Sequence, residues 1–165
     1  MTQGSHSPAP GSESNVRVAL AGLEGEEALR LLTASSDVVL FLRNDGVIRD
    51  LAFGSDELVN LGCADWEGQP WSAVVTVESR PQVESLLKDA LAGKSHPPRQ
   101  LNHPSPTGTD LPVAYRVLAL AQPDGSRQLV ALGRDLRAEM ALQQRLVSAQ
   151  ISMERDYWRL RHVET

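Results

Sequence analysis

The chain has 165 residues, of which 41% are hydrophobic and 22% charged, and its formal net charge is −5. That length suggests one domain with extensions, and nothing in the charge balance attracts nucleic acid. A single cysteine, Cys63, excludes an internal disulfide and a cysteine-rich zinc site, and no apolar run approaches the roughly 20 residues of a membrane span.

Residues 1–15 are rich in Ser, Gly and Pro and nearly devoid of large apolar side chains, so a disordered tail is expected there. This start lacks the basic-then-apolar pattern of a secretory signal, and with one lone thiol a reducing cytoplasm fits best. From Val16 to Ala34, apolar residues recur at Leu20, Leu23, Leu31 and Leu32. The spacing predicts a helix best defined over Glu24–Ala34, with Gly22 and Gly25 weakening its start.

Val38–Leu42 reads as a buried strand, Asn44-Asp45-Gly46 as a tight turn, and Val47–Phe53 as the returning strand. Short helical pieces are predicted around Ser55–Leu61 and Trp71–Val74. Ser79 with Gln82 has the spacing of a capping box, and Pro81 suits a first turn. Val83, Leu86, Leu87, Ala90 and Leu91 then form one helical face, which Gly93 ends. Three strands follow, Arg99–His103, Leu111–Ala121 and Gln128–Gly133, with Pro123-Asp124-Gly125-Ser126 as the last turn. Helices set between two runs of antiparallel strands indicate an α+β fold.

After Gly133, Ala138–Thr165 contains no Gly or Pro, which predicts one helix of roughly 28 residues, about 42 Å long. Leu146, Met153 and Leu160 repeat at seven residues, with Leu142, Ala149 and Val163 in an intervening seam that Asp156 breaks. A domain this small cannot cover such a rod. Self-association through Leu142, Gln143, Leu146, Ala149, Gln150, Met153, Tyr157 and Leu160 is the expectation, and a stripe packed back on its own sheet is the alternative. Gln143 and Gln150 flank the stripe and either set register or are solvated. Arg145, Arg155, Arg159 and Arg161 interleave with Glu154, Asp156 and Glu164, which reads as a solvated face and not a DNA contact. Tyr157 and Trp158 suit a protein interface.

No constellation for catalysis stands out, so the chain is not read as an enzyme. Leu61, Gly62, Ala64, Asp65 and Trp66 supply no positive charge to Cys63, which reads as a small buried residue, with Asp65 raising its pKa. Trp66 and Trp71 are expected to pack against the core. His6 lies in the tail. His96 and His103 follow the long mid-domain helix, so haem ligation stays open beside solvent exposure or a hydrogen-bonded strand residue. No histidines have metal-ligand spacing with a third group, and no cofactor is predicted.

The element order resembles a PAS domain: a five-stranded antiparallel sheet with helices on one face, here followed by a long C-terminal helix. Asp37–Leu42 with Asn44-Asp45-Gly46, Trp66-Glu67-Gly68-Gln69-Pro70 and Val75-Thr76-Val77-Glu78-Ser79-Arg80 are similar to PAS segments. Leu101-Asn102-His103, Leu132-Gly133-Arg134-Asp135-Leu136-Arg137, the run Gln143–Gln150 and Met153-Glu154-Arg155-Asp156-Tyr157 resemble the N-terminal region of the PpsR/CrtJ family. That family comprises aerobic repressors of photosynthesis genes in purple bacteria. The resemblance spans about Glu26 to Thr165. It divides the chain into a tail at 1–15, a PAS-like domain at 16–135 and a glutamine-containing linker, or coiled-coil, helix at 136–165.

The resemblance implies a sensing and oligomerisation module, a homodimer or higher oligomer, that receives an antirepressor protein. DNA would be bound only through a helix-turn-helix domain of longer family members. The chain is therefore expected to be the N-terminal part of such a repressor. The outer face of the sheet and the terminal helix are expected to carry assembly. The alternatives are a PAS module that senses haem or another small ligand, and the input domain of another signalling protein; against a kinase input, His162 is followed by Val163 and not an acidic residue.

Overall fold

Val38–Leu42 (β1) and Ile48–Phe53 (β2) form an antiparallel hairpin in the computed structural model, which describes residues 21–163. The expected tail at 1–15, His6, Leu20 and Glu164 lie outside the described residues, as does the side chain of Val163. Gly46 turns the hairpin at φ +87°, a backbone conformation that costs glycine nothing. Val47 leaves the strand and bridges Pro70.

Three further strands complete the sheet: Arg99–His103 (β3), Leu111–Ala121 (β4) and Arg127–Asp135 (β5), the last extending beyond the predicted ends on both sides. The order across the sheet is β2-β1-β5-β4-β3, with every pair antiparallel. β1 and β5, distant in sequence, lie side by side at the centre, with Leu40 opposite Ala131. This is the α+β, five-stranded antiparallel architecture expected.

Alternation along the strands sends Leu40, Leu42, Leu101, Val113, Tyr115 and Leu129 into one core. Arg80–Leu91 (α3) closes it with Val83, Leu86 and Ala90, while Leu91 is exposed. Burying an aliphatic side chain of this size contributes roughly 1.5–3 kcal/mol. Asp56–Asn60 (α2) adds Leu58, and a 3-10 turn at Trp71–Ala73 adds Trp71.

The capping box does not form. A 3-10 turn at Val77–Ser79 runs straight into α3, so Ser79 is already helical at φ −86°, ψ −14°, and its side chain does not cap the helix. Its Oγ instead accepts from the backbone N–H of Asn102 at 3.0 Å and from Thr76 Oγ1 at 3.1 Å, tying the start of α3 to β3.

Gly25–Ser35 (α1) falls within one residue of its predicted bounds but buries no residue; Leu29 and Leu31 are exposed. Gly54 lets its C-terminal end approach β2, because a Cβ there would collide with the carbonyl oxygens of Thr33 and Ser36. On the sheet surface facing away from the core, Val39 and Val130 are buried, whereas Leu118 and Leu120 are exposed.

Candidate functional site: a buried histidine core and an unpartnered helix

His103 ends β3 facing inward and is fully buried. Its Nδ1 lies 2.7 Å from the carbonyl oxygen of Val74 and its Nε2 2.7 Å from Tyr115 Oη. A carbonyl only accepts, so Nδ1 carries the proton, and the neutral ring accepts the Tyr115 hydroxyl at Nε2. Trp66 stacks on the imidazole with ring centroids 4.2 Å apart, and Trp71 meets Tyr115 edge-on at 5.1 Å. Burial lowers the His103 pKa to about 4, against the smaller effect of the Val74 hydrogen bond. Burial likewise raises Tyr115 well above the ordinary tyrosine range. Trp71 Nε1 is buried, with no hydrogen bond of normal geometry among the described residues.

Of the two readings of His103 set beside haem ligation, solvent exposure falls and the hydrogen-bonded strand residue stands. Both its ring nitrogens are engaged by protein groups. His96 is engaged too: Nε2 pairs with Asp89, and Nδ1 lies 3.4 Å from Arg99 Nη2. Trp66 and Trp71 pack in the core as expected.

Cys63 is buried, and desolvation pushes its thiol up to about 11. Its electrostatic neighbours differ from the expected ones. Arg137 lowers the value and Asp135 raises it, both from the far end of the domain; Asp65 is not among the causes. Local sequence could not reveal this, because the fold brings residues more than 70 positions apart to one place.

The end of β5 meets the terminal helix, Arg137–Val163 (α4), in a polar clamp. Asp37 Oδ2 accepts the backbone N–H of Asp135 at 2.7 Å. Asp135 in turn accepts the backbone N–H of Arg137 at 2.9 Å and grips its guanidinium at Nε and Nη2, the latter at 2.7 Å. Arg137 Nη2 also reaches Glu57 Oε2 on α2 at 3.2 Å. Leu136 donates its N–H to Pro112 O at 2.9 Å. Forked arginine–carboxylate contacts fix direction as well as distance, so α4 leaves the domain on a defined bearing.

Beyond the clamp, every side chain described on α4 from Ala138 onward is exposed. The alternative in which the stripe packs back on its own sheet therefore fails. Leu142, Leu146, Met153 and Leu160 are 59, 64, 73 and 68% exposed. Gln143, Ala149, Gln150 and Tyr157 are exposed with them. The eight residues share one side of the helix, and the structure brings none of them against the body.

The helix also carries a second apolar stripe that the sequence reading overlooked: Met140, Val147, Ile151 and Trp158, all exposed. At about 100° per residue it lies roughly opposite the first. Spacings of seven between 140 and 147, and between 151 and 158, were the available signal. At its base this second side faces the body, where Met140, Ala141 and Gln144 line a groove with Leu61, Leu111 and Pro112. Near the free end, Tyr157 and Trp158 meet edge-on at 6.1 Å, and the Arg161 guanidinium lies 5.6 Å from the Tyr157 ring.

No helix among the described residues is long and apolar enough to cross a membrane. No group of three or more His, Cys, Asp or Glu among them is placed to hold a metal ion.

A family profile described as a PAS fold matches residues 32–141. The chain is 30% identical over 153 residues to the protein CrtJ of Rhodobacter capsulatus, an alignment covering 90% of this chain and 31% of CrtJ. The chain thus spans about a third of the length of that curated relative. Its fold is similar to the PAS domain of an HTR-like protein from Haloarcula marismortui, with a TM-score of 0.53 and 16% identity over 75% of this chain and 98% of that one. It is similar as well to a sensory box histidine kinase/response regulator from Burkholderia thailandensis, with a TM-score of 0.50 and 16% identity over 78% and 99% of the two chains. At such identities the solved structures speak for the fold alone.

Proposed function

The chain belongs to the PAS family, and on that premise we propose that it is the sensing and oligomerisation module of a CrtJ-like repressor of photosynthesis genes. The similarity to CrtJ reaches into the terminal helix as well as the sheet, since it takes in 90% of the chain. The observation that carries the proposal is α4: a 27-residue helix whose described side chains from Ala138 onward are all exposed. Helices in proteins owe most of their stability to packing of an apolar face. A second copy of the chain, laid along Leu142, Leu146, Met153 and Leu160, removes that face from water.

In this reading the module works by assembly and carries no chemistry of its own, in the cytoplasm. The clamp of Asp37, Asp135, Arg137 and Glu57 passes a displacement of the sheet into the base of α4. Packed helices have discrete arrangements, so a small displacement becomes a choice between states. An antirepressor protein acts by splitting or distorting the oligomer. DNA is reached through another part of the repressor.

The test is Leu146→Asp in the otherwise unchanged chain. A carboxylate in the seam must be desolvated on pairing, so the variant is expected to shift from dimer towards monomer. An unchanged dimer population would reject the assignment of this seam.

A further inference from the structure

We propose that α4 pairs with a second copy of the chain in antiparallel orientation, about a dyad at the level of residue 151. The inference deepens the self-association reading and rests on it.

The first argument is room. Met140, Ala141 and Gln144 line the groove against the body, whereas Leu142 and Leu146 point to the opposite side of the helix. The Leu142–Leu160 side is exposed from the base of α4 to its free end, which leaves it open to a neighbouring helix along that length.

The second argument is Asp156, the charged residue inside an otherwise apolar seam. Parallel pairing in register sets each seam residue against itself. Asp156 would then face Asp156 of the second copy between apolar neighbours, with both carboxylates desolvated and repelling. Antiparallel pairing separates them.

The third argument is what the reversal brings together. About a dyad at residue 151, Leu142 meets Leu160 of the second copy, and small Ala149 meets long Met153. Gln150 lies beside its own counterpart, where the two amides supply each other's donors and acceptors. Asp156 comes level with Leu146 of the second copy and within one residue of Arg145, an opposite charge on the same flank, and this happens twice by symmetry. Arg145 also approaches Arg159 of the second copy, but Asp156, three residues from Arg159 on the same helix face, lies between them. The two domains then stand at opposite ends of a shared rod.

Cysteine cross-linking in the full chain tests the orientation. Leu142→Cys and Leu160→Cys are made separately and oxidised alone and as an equimolar mixture refolded together. The parent chain, whose Cys63 is buried, is the blank. A covalent dimer in the mixture and in neither variant alone is the expected result. Covalent dimers in each variant alone would overturn the proposal in favour of parallel pairing. No cross-link anywhere with a dimeric mass would overturn it by moving the contact off this seam, while no cross-link with a monomeric mass would remove self-association itself. As a second measurement, Asp156→Arg is expected to weaken the dimer at least tenfold, and adding Arg145→Asp to restore it. Failure of the charge exchange to restore pairing would also overturn the proposal.

Discussion

Tyr115 Oη donates to His103 Nε2 across 2.7 Å inside a core that excludes water from both residues. The hydroxyl has no alternative solvent partner, and the imidazole spends its one proton on Val74. Tyr115→Phe keeps the ring against Trp71 and leaves the buried Nε2 without a donor. Loss of about 1–3 kcal/mol of unfolding free energy is expected, measured by urea titration. A change under a few tenths would mean that this hydrogen bond contributes nothing net.

The same pair predicts a pH dependence. In the fold the His103 pKa lies at about 4, lowered from 6.5 by burial. Between those values the unfolded chain takes up a proton that the native chain refuses, so stability falls as pH drops. The contribution is complete above pH 6.5 and gone by about pH 4, and it amounts to about 3 kcal/mol. Carboxylates titrate in the same range, so the readout is the difference between the parent and His103→Gln. The parent is expected to lose more stability than the variant between pH 7 and 5. Parallel pH curves for the two would contradict the assignment.

Cys63 is expected to be inert in the folded chain. Its thiol is buried and raised to about 11, so little thiolate exists near neutral pH. An aromatic disulfide reagent at pH 8 should react at least a hundredfold more slowly with the native chain than with the chain in urea. Rapid native-state labelling would show that the thiol reaches solvent.

Gly133 stands where β5 passes under the core. A Cβ there would lie 2.6 Å from Val38 Cγ1 and 2.7 Å from Tyr115 Cε1. Gly133→Ala is therefore expected to cost about 1–3 kcal/mol by overpacking. Thermal unfolding checks this, and an unshifted midpoint would contradict the close packing described.

Much of the architecture was legible because its signals are local. Asn44-Asp45-Gly46 announced the first hairpin, and the spacing of Val83, Leu86 and Ala90 announced the buried side of α3. Ser79 misled because a capping spacing says nothing about the turn before it. Here Val77–Ser79 is already wound, and the hydroxyl goes to β3 instead. The contact between His103 and Tyr115 and the meeting of Glu57 with Arg137 depend on which strands become neighbours, and no local pattern carries that. The Met140–Trp158 stripe was hidden for a different reason. Two apolar sides on one helix cancel in any average over its faces, so the stronger seven-residue repeat was read alone.

The sheltering of α4 by a second copy is tested most directly by mass in solution. Sedimentation equilibrium on the full chain and on a version ending at Arg137 compares the molecule with and without its rod. The account predicts a dimer or larger species for the full chain and a monomer for the shortened one. Equal monomeric masses would contradict it.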